Sequence, residues 1–166
     1  MIGTVIRYNI KDINTDLIIP ARYLTKTDPD YLAQHCMEDL DSKFTQKLKI
    51  NNYSILVAGS NFGCGSSREQ APIAIKAAGI KCIIAPSFAR IFFRNSINIG
   101  LPILEFNEIE NFNTDDTLEI RLDEGIIKNK KISIEYRVKK IPPFLQEIIS
   151  ADGLINYTKK IIGKFL

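Results

Sequence analysis

Three glycines, two serines and an arginine fall close together in one short stretch of the sequence. Gly59, Gly63 and Gly65 lie within seven residues, and a Ser-Ser-Arg segment follows at 66–68. Glycine lets a ligand approach main-chain N–H groups without a Cβ in the way. A guanidinium group matches a carboxylate bidentately. The combination favours a site for an anionic ligand, with the hydroxyl groups of the two serines beside it.

The residues around this stretch predict a strand, a loop and a helix. The apolar, partly β-branched run at 54–58 is typical of a buried strand. Ser66, with Glu69 three residues on, has the spacing of a capping box, which predicts a helix that begins at Ser66. The N-terminus of that helix would attract an anion. Pro72 fits this start poorly, unless the helix kinks or its regular part begins at Pro72.

Two familiar phosphate-binding patterns are excluded by the spacing. The glycines at 59, 63 and 65 do not give G-x-G-x-x-G, and the segment 80–86, where the ribose-binding acid is expected, contains no acidic residue. No Gly-Lys-Ser/Thr closes the turn, as a P-loop requires. A nucleotide site is therefore disfavoured.

Two long segments carry a resemblance to a known family. They read GSNFGCGSSREQAP at 59–72 and APSFARIFFRNSINIGLP at 85–102. Both resemble the small subunit of 3-isopropylmalate dehydratase, which corresponds to the swivelling fourth domain of aconitase. The likeness spans nearly the whole chain, although Gln70 stands where many relatives have histidine. It implies an α/β fold: one swivelling β/β/α domain over residues 1–166, with a mixed sheet and outer helices.

The resemblance also implies a hydro-lyase that is assembled from two chains. Such an enzyme isomerises 2-isopropylmalate and 3-isopropylmalate by dehydration and rehydration, in leucine biosynthesis. A large subunit would hold a [4Fe-4S] cluster as the Lewis acid for the leaving hydroxide. This chain would supply Ser66 as the base, and Ser67 and Arg68 as binders of a small dicarboxylate substrate. Nearby N–H groups would stabilise the serine alkoxide as an oxyanion hole does.

Two further segments belong to the implied site. Asp16 lies in a T-D-x-I-x-P-like motif whose acid is near the active site in the aconitase superfamily, although an Asx turn or a cap explains it equally well. The loop with Thr25 and Lys26 is where isopropylmalate enzymes and homoaconitases differ. Its length favours isopropylmalate, whereas Lys26 suits either the extra carboxylate of a homologue or solvent. The alternatives are the small subunit of a homoaconitase or of a dimethylmalate-type dehydratase, and, less favoured, a stand-alone carboxylate-binding module.

Composition and cysteine spacing set the class of protein. With 166 residues, 25% of them charged, and a net charge of +3, the sequence predicts one globular domain and no nucleic-acid partner. No apolar run reaches membrane-spanning length and no signal peptide is evident, so a cytoplasmic protein without a membrane partner is predicted. Cys36, Cys64 and Cys82 match no zinc or iron–sulfur spacing, which predicts free thiols. Cys64 is interpreted as a small buried residue rather than part of the site, and His35, the sole histidine, as a packing residue.

The rest of the chain predicts an ordinary α/β arrangement. A second strand at 80–85, reached by a helix, favours a parallel right-handed crossover. The helix at 87–96 exposes Arg90 and Arg94, to solvent by default or to a partner. The other predicted elements are a surface loop with a helical turn at 39–49, a strand at 101–106, an antiparallel meander at 117–138, and helices at 144–150 and 154–162.

Overall fold

The computed structural model describes residues 1–163, and strands and helices alternate through its first two thirds. The strands of the described part are β1 (Ile2–Tyr8), β2 (Tyr53–Ala58), β3 (Cys82–Ala85), β4 (Ile103–Glu105), β5 (Thr117–Arg121), β6 (Ile126–Asn129) and β7 (Ile134–Arg137). The helices are α1 (Thr15–Ile18), α2 (Pro29–Gln34), α3 (Phe44–Asn51), α4 (Gln70–Ala77), α5 (Arg90–Asn98), α6 (Pro143–Ser150) and α7 (Leu154–Ile162). The predicted single domain over 1–166 includes residues 164–166, which lie outside the described part.

One mixed sheet contains all the described strands, in the order β4-β3-β2-β1-β5-β6-β7. Strands β1 to β4 are parallel to one another, and β5 joins β1 antiparallel and begins the meander with β6 and β7. The α/β class with a mixed sheet is therefore confirmed, together with the parallel crossover, the meander and the two terminal helices.

Both faces of the parallel half are buried, which explains the continuous apolar run at 54–58. Successive side chains of a strand point to opposite faces. Leu56 and Ala58 pack in a core cluster with the helices α1 to α5, whereas Ile55 and Val57 pack in a second cluster with residues of the meander. The antiparallel half thus covers the face of the parallel half that the helices leave free.

The predicted helix start at Ser66 is wrong, because helix α4 begins at Gln70. Glu69 occupies the N-cap position without a side-chain hydrogen bond, and Ser66 is an exposed loop residue. Pro72 explains the difference. As the third residue of α4 it lies among the first-turn positions whose N–H groups have no partner within a helix, so its missing N–H removes no hydrogen bond. Six residues into a helix capped by Ser66, it would have removed one.

A second difference concerns the segment at 39–49, for which the sequence predicts a surface loop with only a helical turn. Helix α3 begins within it, at Phe44, and ends at Asn52 in the left-handed conformation, with φ of 54°. Phe44 and Leu48 are buried in the core cluster of the helices. Tertiary burial of one helix face therefore outweighs the charged character of the segment.

The loops that follow β1, β2 and β3 meet at one edge of the sheet, where the carboxyl ends of parallel strands lie. The Thr15 N–H donates to the Cys64 carbonyl at 2.8 Å, and the Phe62 N–H donates to the Ser87 carbonyl at 3.1 Å. Because each of these bonds joins two of the loops, the backbone of the glycine loop is held between its neighbours.

Two glycines of this loop adopt conformations that disfavour other residues, and they differ in the space around them. Gly63 has φ of +76°, and a Cβ there would stand 2.2 Å from Cγ of Phe92. Gly65 has φ of +90°, but a Cβ there would come no nearer than 3.4 Å, to Oγ1 of Thr15. Gly63 is therefore required by both backbone and packing, and Gly65 by the backbone alone.

We expect Gly63→Ala to destabilise the protein more than Gly65→Ala. Left-handed backbone costs about 1–2 kcal/mol in either variant. Overpacking against Phe92 adds about 1–3 kcal/mol in the first variant alone. Urea unfolding of both variants beside the wild type measures the difference, and equal losses of unfolding free energy would contradict the packing role of Gly63.

Candidate active site

An open groove of about 670 Å³ lies where the glycine loop faces the start of helix α5. Its lining residues are Gly63, Gly65, Ser66, Ala89, Arg90, Ile91 and Arg94. The groove thus joins the loop after β2 to the helix after β3. Ser66, the predicted base, is exposed on its wall.

The backbone N–H groups beside Ser66 are free to bind a ligand. Within residues 1–163, the amides of Gly65, Ser66 and Ser67 donate no hydrogen bond to a protein acceptor. All three residues are exposed. Since the loop and not the helix contains Ser66 and Ser67, the candidate donors for an anion at this site are loop amides rather than the predicted helix N-terminus.

Arg68 is fixed by contacts with the loop after β1. Its Nη1 lies 2.6 Å from Oδ1 of Asp16 and donates to the carbonyl of Ile19 at 3.1 Å. The Arg68 side chain is only 15% exposed, whereas that of Asp16 is 55% exposed. The structure therefore brings together two of the predicted site residues that are far apart in the sequence.

The alternative interpretation of Asp16 as a cap or Asx turn does not hold, because Asn14 fills that role. The Asn14 side chain accepts a hydrogen bond from the Leu17 N–H at 2.9 Å, at the N-terminus of α1. Asp16 is left in the first turn of α1 with its carboxylate directed to Arg68. Asp16 is therefore an ion-pair partner of the Arg68 guanidinium group.

Thr25 and Lys26 are exposed and do not line the groove beside Ser66. The Lys26 ammonium lies over the ring of Tyr31, 4.3 Å from its centroid, in a cation–π contact. Tyr23 in the same loop stacks on His35 at a centroid distance of 3.7 Å, with the rings nearly parallel. His35 is thus a packing residue, as predicted, and the loop with Thr25 and Lys26 is held against helix α2.

An ion-pair cluster holds the start of the loop that contains Thr25 and Lys26. Arg22 contacts Glu38 at 2.6 Å and Asp39 at 2.5 Å. Partial burial alone would raise the pKa of Glu38, but hydrogen bonds from Tyr23, His35 and Arg22 outweigh it and lower that pKa. The hydrogen bond from Arg22 likewise lowers the pKa of Asp39.

These lowered pKa values predict a loss of stability in acid. The ordinary values are 4.5 for Glu38 and 3.8 for Asp39, so the stabilisation is complete above these values and disappears as the pH falls through the lower folded values. Urea unfolding at pH 6 and pH 3 should show a smaller acid loss in the double variant Glu38→Gln/Asp39→Asn than in the wild type. Equal losses would show that the cluster contributes nothing.

The three cysteines do not form a common ligand set. Cys36 and Cys82 are fully buried in different core clusters. Burial raises the pKa of Cys82 to about 12, and it raises the pKa of Cys36 as well. Cys64 is half-buried rather than buried as predicted, and its pKa is raised by burial first and by Asp12 second. In the described part of the chain, no three His, Cys, Asp or Glu side chains are grouped to hold a metal ion.

Arg90 and Arg94 are groove residues that the sequence interpretation assigned to solvent by default. Both are exposed, Arg90 at the start of α5 and Arg94 one turn further on, and they line the groove together with Ile91. A signal was available, because the helix follows the strand next to β2, and loops after neighbouring parallel strands meet at the same edge. None of the helices in the described residues is long and apolar enough to cross a membrane.

Comparison with known proteins shows the family of this chain. A family model described as the Aconitase C-terminal domain matches residues 1–109. The 3-isopropylmalate dehydratase small subunit of Ruminiclostridium cellulolyticum is 56% identical over 162 residues, which cover 97% of this chain and 98% of that protein. The chain belongs to the family of 3-isopropylmalate dehydratase small subunits.

Other members of the family are similar to this chain over nearly its full length. The small subunit of Caldanaerobacter subterraneus subsp. tengcongensis is 54% identical over 161 residues, which cover 96% of this chain and 98% of that protein. The crystal structure of the 3-isopropylmalate dehydratase from Methanocaldococcus jannaschii is similar with a TM-score of 0.90, at 44% identity and with both chains covered completely. The family resemblance and the fold that it implied are therefore confirmed.

Proposed function

We propose that the chain is the small subunit of a 3-isopropylmalate dehydratase and that it supplies the base and part of the carboxylate site. The observation that supports this most directly is the exposed Ser66 hydroxyl beside the free N–H groups of residues 65–67. The reaction isomerises 2-isopropylmalate and 3-isopropylmalate in leucine biosynthesis. Loss of water gives an alkene, and water then adds back with hydrogen and hydroxyl exchanged between the two carbons.

Ser66 accepts the carbon-bound proton in this scheme. A serine is a weak base unless its alkoxide is stabilised, and preorganised N–H donors stabilise developing negative charge well. The amides of Gly65, Ser66 and Ser67 are the groups in place to do so. In the addition step Ser66 returns the proton to the neighbouring carbon, so that the base is regenerated.

Arg68 and Ser67 bind a carboxylate of the substrate. The guanidinium group of Arg68 is held by Asp16 and by the Ile19 carbonyl, so it reaches the substrate already oriented. Orientation before binding reduces the entropy lost on forming the complex. Asp16 acts on the substrate by fixing Arg68 and by contributing its exposed carboxylate to the site.

A second subunit completes the site. The departing hydroxide requires a Lewis acid, and a [4Fe-4S] cluster on the large subunit would provide that chemistry. The cysteines of this chain do not fit a cluster, because Cys36 and Cys82 are buried in separate clusters of the core. We place the enzyme in the cytoplasm, where free thiols persist.

Thr25 and Lys26 select among branched hydroxy acids. Lys26 is drawn onto Tyr31 in this structure, so an additional substrate carboxylate would have to compete with that contact. This favours isopropylmalate over homocitrate. A homoaconitase, whose substrate has a third carboxylate, would require Lys26 to leave the Tyr31 ring for the substrate. Dimethylmalate has the same two carboxylates as isopropylmalate, so the position of Lys26 does not separate these two acids.

Turnover by the mixed subunits tests the function. The chain is combined anaerobically with its cluster-loaded large subunit, and dehydration of 3-isopropylmalate, homocitrate and dimethylmalate is followed, with each protein alone as a control. Turnover of 3-isopropylmalate by the mixture alone is the expected result. Preference for another of the three acids would overturn the assignment of isopropylmalate as the substrate. Binding of substrate by the isolated chain without any turnover would favour a stand-alone carboxylate-binding module.

A further inference from the structure

Helix α5 presents an exposed surface at the mouth of the Ser66 groove, formed by Arg90, Ile91 and Arg94, which we name the α5 rim. Arg90 and Arg94 are four residues apart and therefore lie on the same face of the helix. Ile91, between them in the sequence, is 52% exposed. Two cations and an exposed apolar side chain thus line the groove beside the candidate base.

Within the described residues, the charges of the α5 rim have no carboxylate partner. Among residues 1–163, neither Arg90 nor Arg94 forms an ion pair with a carboxylate. Arg90 is the first residue of α5, the helix has no acid in its first turn, and Ala89 provides no side-chain cap. A cation at a helix N-terminus opposes the helix dipole. The α5 rim is therefore an uncompensated positive surface.

We propose that the α5 rim is the docking surface for an acidic patch of the large subunit, which rests on the function proposed above. The position of the rim supports this occupant, because any chain that completes the site must approach Ser66 and so cover the groove that Arg90 and Arg94 line. Carboxylates on the partner would pair with the two guanidinium groups and complement their charge.

The composition of the rim favours a protein over the small substrate. The small substrate would pair with the arginines and could cover only part of Ile91 with its one isopropyl group, whereas a protein surface covers all three residues together. Arginine is enriched at protein interfaces, and apolar side chains in their centres are desolvated when the partner binds.

Charge reversal tests the docking surface. We would measure the dissociation constant of the anaerobic complex between the cluster-loaded large subunit and the double variant Arg90→Glu/Arg94→Glu, at low and at high salt. We expect the constant to rise about 10-fold or more, with a weaker salt dependence than in the wild type. Activity that is lost at low partner concentration should recover when the large subunit is in excess. Arg137→Glu, an exposed arginine on β7 outside the groove, is the matched control and should bind as the wild type does.

The outcomes separate this inference from the proposed function. A variant that unfolds at the same urea concentration as the wild type but binds the partner weakly supports the docking surface. Unchanged partner affinity with a raised KM would overturn it and assign the arginines to the substrate. Unchanged affinity and unchanged KM would overturn it and leave the proposed function intact. Failure of the wild-type chain to bind the large subunit would overturn both.

Discussion

Ser66→Ala should lower the turnover of the assembled enzyme by about 10²–10⁴-fold, which is the usual contribution of a positioned base. The Ser66 side chain is exposed, and in the described residues its hydroxyl makes no hydrogen bond to another protein group. Its removal should therefore change the free energy of unfolding by less than about 0.5 kcal/mol. The measurement is kcat at saturating substrate, together with urea unfolding and the affinity for the large subunit.

A matched serine separates the role of the base from the general effect of the substitution. Ser150→Ala removes an exposed hydroxyl at the end of α6, outside the groove, and should leave kcat unchanged. If Ser66→Ala turned over at the wild-type rate with the complex intact, Ser66 would have no part in proton transfer.

The second large effect is expected for Arg68→Ala. The substitution removes a charged hydrogen-bond donor from the substrate carboxylate, and it leaves the Asp16 carboxylate and the Ile19 carbonyl without that partner. Hydrogen bonds to charged groups contribute about 1.5–3 kcal/mol. At about 1.4 kcal/mol for each factor of ten, kcat/KM should fall roughly 10- to 150-fold. Steady-state kinetics of the assembled enzyme measure this fall.

Arg68→Lys and Asp16→Asn show whether orientation or charge alone matters. Lysine keeps the charge but has no planar fork, so it cannot reproduce the geometry of a guanidinium group that contacts two acceptors and a substrate. It should recover only part of the loss. A double-mutant cycle with Asp16→Asn should show coupling between positions 16 and 68. If Arg68→Lys had the full wild-type activity, or if the effects of the two substitutions were additive, Asp16 would have no role in orienting Arg68.

The error at the start of helix α4 shows how far local patterns can be trusted. Ser66 and Glu69 have the spacing of a capping box, and nothing within those four residues argues against a helix. Pro72 was the contrary signal, and it prevailed because a helix can begin only where the missing N–H of proline is not required. The correction matters for function, because it leaves Ser66 and its neighbours in a loop with free amides.

The sequence by itself determined the family, the α/β class and the residues of the glycine loop. Buried strands, alternating meander strands and glycines with positive φ follow from side-chain type and spacing over a few neighbours, so these features can be recognised locally. The tertiary structure alone decided that Asp16 pairs with Arg68 and that Arg90 and Arg94 face Ser66. These contacts join residues that follow three different strands. They exist because β1, β2 and β3 lie side by side and parallel, which places the residues after their carboxyl ends at one edge of the sheet.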